Sequence, residues 1–129
     1  MEFNQKEPIY TQIIDDIKIK FINGTYQSGQ EIPSRRELAK RLGVNPNTIQ
    51  RAYREMEDMK LIVTARGQGS FMTNDSKILE ALREEALNAA VSQSIEMLRS
   101  FGKSDEEILD TMKKYMKGEN LNDQSGTSR

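Results

Sequence analysis

Between Pro33 and Arg54 the sequence gathers six Lys or Arg against one acid, Glu37, although the 129 residues together carry a formal charge of -1. Within "NPNTIQRAYREME", Asn47, Gln50, Arg51 and Arg54 recur at the three- and four-residue steps that place side chains on one face of a helix. That stripe is made of amides and guanidinium groups. Asn and Gln pair a donor with an acceptor, as the edge of adenine requires, and Arg presents the double donor that suits guanine. Any of the cations can displace counterions from a phosphate. Arg35 and Arg36 precede the stripe, and Arg66, Gly67 and Gln68 follow it in a glycine-rich stretch. A basic stripe on a short helix is, taken alone, as often a plain solvated face. The amides favour hydrogen bonding to bases, because charge attraction alone has no need of them.

Other chemistry finds little to work with. Without Cys there is no disulfide, thiolate nucleophile or zinc-thiolate site, and without His the usual metal ligand and neutral-pH base are missing. No glycine pattern of the P-loop or dinucleotide type occurs. The adjacent carboxylates Asp15 and Asp16, and Glu84 and Glu85, point in different directions on a helix. An enzyme, a cofactor and a metal site are therefore not expected. The longest apolar run is three residues, and "MEFNQKEPIY" has neither a basic n-region nor an apolar h-region, so a cytoplasmic protein with no membrane span is expected.

The candidate residues need elements to position them. Tyr10, Ile13, Ile14, Ile17, Phe21 and Ile22 follow helical spacing, with Pro8 in the first turn and Gly24 past the end. "QSGQEIP" is a loop or short strand. Ser34 and Glu37 have the spacing of a capping box for a second helix, which buries Leu38, Ala39 and Leu42 and stops at Gly43. Asn45 then caps a third helix with Pro46 in its first turn, so two helices meet across a break short enough to force a large crossing angle. The third helix buries Ile49, Ala52, Tyr53 and Met56 and turns the polar stripe outward; Val44 joins the same core. "LIVTARGQGSFMT" reads as a two-stranded hairpin tipped by Arg66, Gly67, Gln68 and Gly69, which must pack on the helices to be stable.

After Asn74 the charge balance reverses, from eleven basic and nine acidic residues to eight and eleven. A long helix follows, with Ser76 as its expected N-cap and Gly102 beyond its end, then a second capping box, Ser104 and Glu107, opening a last helix with Ile108, Leu109, Met112, Tyr115 and Met116 on its apolar side. Two helices cannot cover so broad an apolar surface by themselves, which implies a second copy of the chain. The expected organisation is mainly α with a small β-hairpin: a winged helix-turn-helix over residues 1–74, a two-helix dimerisation segment over 75–118 and a disordered polar tail over 119–129.

The stretch "IPSRRELAKRLGVNPNTIQRAYREMEDMKLIVTARGQGSFM" resembles, in spacing throughout, the GntR family of bacterial transcription regulators, and "VNPNTIQRAYREME" with the short C-terminal part is similar to its YtrA subfamily. The resemblance extends over residues 7–118. It implies DNA contacts from Arg36 in the second helix, from Asn45, Asn47, Thr48 and Gln50 around the start of the third, and from Arg66 and Gly67 in the wing. Pro46 and Gln50 stand where many relatives carry Arg, Met56 where Leu is common, and Lys60 where Gly is usual; the last two read as changes of packing. The resemblance further implies a dimer through the C-terminal helices, an operator in double-stranded DNA arranged as an inverted repeat, and repression of an operon for an ABC transporter that includes the regulator's own gene. It assigns no small-molecule effector. A winged-helix module that binds proteins instead of specific DNA is the competing reading.

Overall fold

The computed structural model describes residues 1–119, so most of the polar tail expected from residue 119 lies outside the described residues. Two compact units emerge, one spanning Met1–Glu84 and the second starting at Glu85. The expected boundary after Asn74 falls before the first turns of the long helix. Those turns belong to the first unit because Ile78, Leu79 and Leu82 pack on its core.

In the first unit, helix α1 (Ile9–Ile22) buries Gln12, Ile13, Ile14, Ile17 and Phe21. Pro8 stands just ahead of the helix rather than in its first turn, at φ -56° and ψ 144°. Buried Gln12 ties down the segment before it, accepting from the Asn4 amide and donating to the Asn4 and Glu7 carbonyls. Helix α2 (Arg35–Leu42) is capped by Ser34, whose side chain accepts from the Glu37 amide. The other half of the expected capping box is missing: the Glu37 carboxylate takes the Arg41 guanidinium at 3.0 Å, a neighbour one turn on. Gly43 ends the helix at φ 65°, a conformation that costs glycine nothing. Helix α3 (Pro46–Asp58) then begins with Asn45 as cap and Pro46 at its first position, as the sequence requires.

The sheet joins to the expected hairpin a short strand from "QSGQEIP", the stretch read as loop or short strand. Strand β1 (Glu31–Ile32) pairs antiparallel with β3 (Gly69–Met72), which also pairs with β2 (Ile62–Ala65), giving the order β1-β3-β2. Register runs Glu31 to Phe71 and Ile32 to Ser70 on one side, Ile62 to Met72 through Ala65 to Gly69 on the other. The reason is burial: Ile32 is 2% exposed, and pairing satisfies its backbone on the way into the core. Gly69 lies in β3, so the tip comprises Arg66, Gly67 and Gln68, closed by the Gln68 amide on the Ala65 carbonyl.

The core joins Ile13, Ile17 and Phe21 of α1, Leu38 and Ala39 of α2, Ile49, Ala52, Tyr53 and Met56 of α3, and Ile32, Leu61, Ile62 and Met72 from and beside the sheet. Leu42 and Val44, expected inside, are only partly buried at its edge. Each large side chain enclosed here contributes about 1.5–3 kcal/mol relative to exposure.

Beyond Glu85 the second unit holds the rest of α4 (Ser76–Ser100) and α5 (Asp105–Met116). Ser76 is already helical, and the carboxylate that accepts from the first-turn Lys77 amide is that of Asp75, at 2.9 Å. The Ser104 and Glu107 capping box forms in both directions. The Arg99 guanidinium donates twice to Asp105, at 2.8 Å each, across the turn between the helices. Ile108 is buried, while Leu87, Val91, Met97, Phe101, Leu109, Tyr115 and Met116 stay exposed.

Candidate nucleic-acid interface

The N-terminus of α3 is built to project side chains. The Asn45 side-chain oxygen accepts from the Asn47 amide at 2.8 Å, which orients the side chain by the cap and leaves its two amide donors available. Asn47, Gln50, Arg51 and Arg54 are exposed on the side opposite Ile49, Ala52, Tyr53 and Met56, and Thr48 is half-buried between them. Burying the second set leaves the first no direction but outward, because both repeat with the helical period.

Two shallow grooves extend this face. One runs between α2 and α3 and is lined by Arg36, Lys40, Pro46, Asn47 and Gln50 among others. The second lies between the start of α2 and the sheet, lined by Ser34, Arg36, Arg66, Gly67 and Gly69 among others. Arg35 and Arg36 both border the two grooves, and so link the helical and wing portions of the surface. Arg36, Lys40, Arg54 and Arg66 form no ion pair among the described residues, so their guanidinium and ammonium groups face solvent. Gln68 sits with Arg66 and Gly67 in the exposed tip. Gly69 stands at φ 114°, a backbone conformation that side-chain-bearing residues rarely adopt.

Two of the expected residues are engaged within the protein. The Arg51 guanidinium stacks on Tyr10 with its central carbon 3.9 Å from the ring centroid and donates to the hydroxyl at 3.0 Å, which ties this end of the stripe to α1. The Arg35 guanidinium meets Glu57 at 3.1 Å and lies over the Tyr53 ring at 5.1 Å. Burial pushes the Tyr53 hydroxyl above its ordinary range, so it keeps its proton and donates it to the Pro33 carbonyl. That bond anchors the approach to α2 on α3. Sequence reasoning passed over Lys40, Tyr10 and Glu57. Lys40 lies one turn beyond Arg36, a spacing that points to it, whereas the partners of Arg51 and Arg35 come from other elements and leave no local signal.

A sharply entered helix with amides and cations along one edge, supported by a second helix and flanked by a three-stranded wing, defines a winged helix-turn-helix DNA-binding module. Residues 9–72 match the model of the bacterial regulatory proteins of the gntR family. The chain is 34% identical to the uncharacterised HTH-type transcriptional regulator YhcF of Bacillus subtilis, with 91% of this chain and 97% of YhcF covered. Over 54% of each chain it is 41% identical to the HTH-type transcriptional repressor YtrA of the same species. A GntR family transcriptional regulator from Listeria monocytogenes superposes with a TM-score of 0.77 at 38% identity, covering 87% of this chain and 98% of that one. The AraR DNA-binding domain in complex with operator ORR3 matches 57% of this chain and 88% of its own at a TM-score of 0.51 and 26% identity. The chain belongs to the GntR family and is a DNA-binding transcription regulator with YtrA-like relatives. Among the described residues no helix is long and apolar enough to cross a membrane.

Proposed function

We propose that this regulator is a cytoplasmic homodimeric repressor that reads an inverted-repeat operator with Asn47 and Gln50, holds phosphate with Arg36, Arg51 and Arg54, and reaches a flanking minor groove with Arg66. Asn45, Thr48, Gly67 and Gln68 complete the contact surface, the glycine by letting backbone approach the duplex. The observation that carries this reading is the juxtaposition of exposed amides at the start of α3 with the unpaired Arg36 along one groove. Amides at a recognition helix's N-terminus suit base edges, and cations beside them suit backbone.

Dimerisation through α4 and α5 is supported by Leu87, Val91, Phe101, Leu109 and Met116, apolar side chains left exposed by a single copy. Repression is supported by the name of the YtrA relative, and operator binding by the AraR complex. The YtrA-like resemblance extends the proposal to an ABC transporter operon that includes the regulator's own gene.

Fluorescence anisotropy against upstream DNA across a salt series tests it. The expected result is specific binding whose affinity falls steeply with salt. Absence of binding to every fragment at low salt would favour a protein-interaction module.

A further inference from the structure

We propose that Arg35 is a positioning residue for the wing and not a DNA contact: with Glu57 it clamps β2 to the last turns of α3, and so sets where the wing tip meets the duplex. The clamp is a continuous chain of polar contacts through four elements. One terminal nitrogen of Arg35, in the first turn of α2, meets one Glu57 oxygen at 3.1 Å. The other Glu57 oxygen accepts from the Thr64 hydroxyl of β2. Thr64 in turn lies 3.1 Å, oxygen to oxygen, from Ser70, its register partner on β3, and Ser70 is 2% exposed.

Arg35 borders both grooves, but three observations turn its guanidinium inward. Its side chain and that of Glu57 are 29% and 31% exposed, well below the 57% of each partner in the neighbouring Arg41–Glu37 pair. Its guanidinium lies over the buried Tyr53 ring, and its Nε is enclosed with no hydrogen-bond partner among the described residues. A guanidinium bound to phosphate spends its donors outward; this one has a nitrogen on Glu57 and another shut against the core.

Glu57 explains why the clamp needs a cation. It occupies the C-terminal end of α3, where the helix dipole disfavours negative charge, beside the wing groove that Thr64 and Arg66 line. Unpaired, its carboxylate would repel an approaching phosphate. Paired, it becomes a strut between α3 and β2, only two positions before Arg66. The inference rests on the proposed contact between Arg66 and the minor groove for its effect on DNA, and on the protein alone for the clamp.

Glu57→Ala and Thr64→Val are the two test variants, read in operator affinity and hydrogen exchange, with Arg66→Ala as background and the salt slope of Arg35→Ala as a further readout. Glu57→Ala removes a negative charge near DNA and frees Arg35, so a phosphate-binding Arg35 predicts tighter binding. The clamp predicts the opposite: Glu57→Ala and the near-isosteric Thr64→Val each weaken operator affinity about three- to tenfold, and the loss shrinks to under about twofold in an Arg66→Ala background. Arg35→Ala, made in the Glu57→Ala background so that no unpaired carboxylate faces the duplex, leaves the salt slope of that background unchanged, whereas losing a phosphate contact lowers it by about one. Hydrogen exchange on the free full-length protein reads the clamp without DNA. Amides of residues 65–70 exchange faster in both variants, and those of Ile49–Met56 do not. Unaltered exchange at the wing, tighter binding by Glu57→Ala, or a salt slope reduced by Arg35→Ala in the Glu57→Ala background would each overturn the proposal. If Arg66→Ala alone leaves operator affinity intact, the wing's DNA contact fails, and wing exchange still decides whether the clamp exists.

Discussion

At the scale of single residues, the face proposed to meet DNA divides into groups that differ in what they can recognise. Asn47 and Gln50 carry donor and acceptor together, so replacing either with Ala should cost about 1–3 kcal/mol on the preferred operator and flatten discrimination at one or two base pairs per half-site. Arg54 is exposed and forms no ion pair among the described residues; Arg54→Ala should weaken all sequences alike and lower the salt slope by about one, read by anisotropy titration. Tyr53 does structural work behind that face. It is fully buried and its hydroxyl donates to the Pro33 carbonyl, so Tyr53→Phe strands an acceptor at the entrance to α2 and should lower unfolding free energy by about 1–2 kcal/mol in a denaturant titration. The polar stripe was legible from spacing alone because burial of Ile49, Ala52, Tyr53 and Met56 fixes the opposite side of the helix. The engagement of Arg51 by Tyr10 was not legible, since those two residues meet only after α1 packs across α3.

Elements were legible where a local signal marks them and missed where a distant partner does. Ser34, Gly43, Asn45 and Pro46 place the ends of α2 and α3 within the chain's own nearest neighbours. At strand β1 the local sequence leaves loop and short strand open, because its two residues become a strand only when β3 supplies the hydrogen bonds. Lys60 is instructive in the same way. A change of packing was expected where relatives carry Gly, but Lys60 stands at φ 62°, so the cost lies in the backbone. Lys60→Gly should therefore stabilise the first unit by up to about 1 kcal/mol, seen as a higher melting temperature with DNA affinity unchanged. The turn between α4 and α5 should respond to acid. Hydrogen bonding and then charge from Arg99 hold the Asp105 carboxyl below its usual range, and the Ser104 backbone and side chain do the same for Glu107. A carboxyl with a depressed folded value adds stability that is complete above its unfolded value and disappears as pH falls through the depressed one. Protection of the amides around residues 99–108 should accordingly fall below the ordinary carboxylate range, and Arg99→Gln should lower that protection already at neutral pH and flatten its response to acid.

For the whole molecule, the sequence placed the division after Asn74, whereas Ile78, Leu79 and Leu82 carry the first compact unit on to Glu84. A helix that runs through a boundary gives no compositional break there. Residues 1–84 should consequently fold as a monomer with greatly weakened operator affinity, each half-site losing its tethered neighbour, and a truncation after Asn74 should be less stable by several kcal/mol through loss of three core contacts. Sedimentation and thermal melts distinguish the two fragments. The central claim is that a dimer reads an inverted repeat through the start of α3, and a binding-site selection from random DNA on the full-length protein, run beside Gln50→Ala, tests it most directly. The parent should enrich two inverted half-sites with centres about 10 base pairs, or a multiple of that, apart, and Gln50→Ala should lose preference at the same position in both halves. Enrichment of a single half-site, or a pattern that Gln50→Ala and Asn47→Ala both leave unchanged, would contradict it.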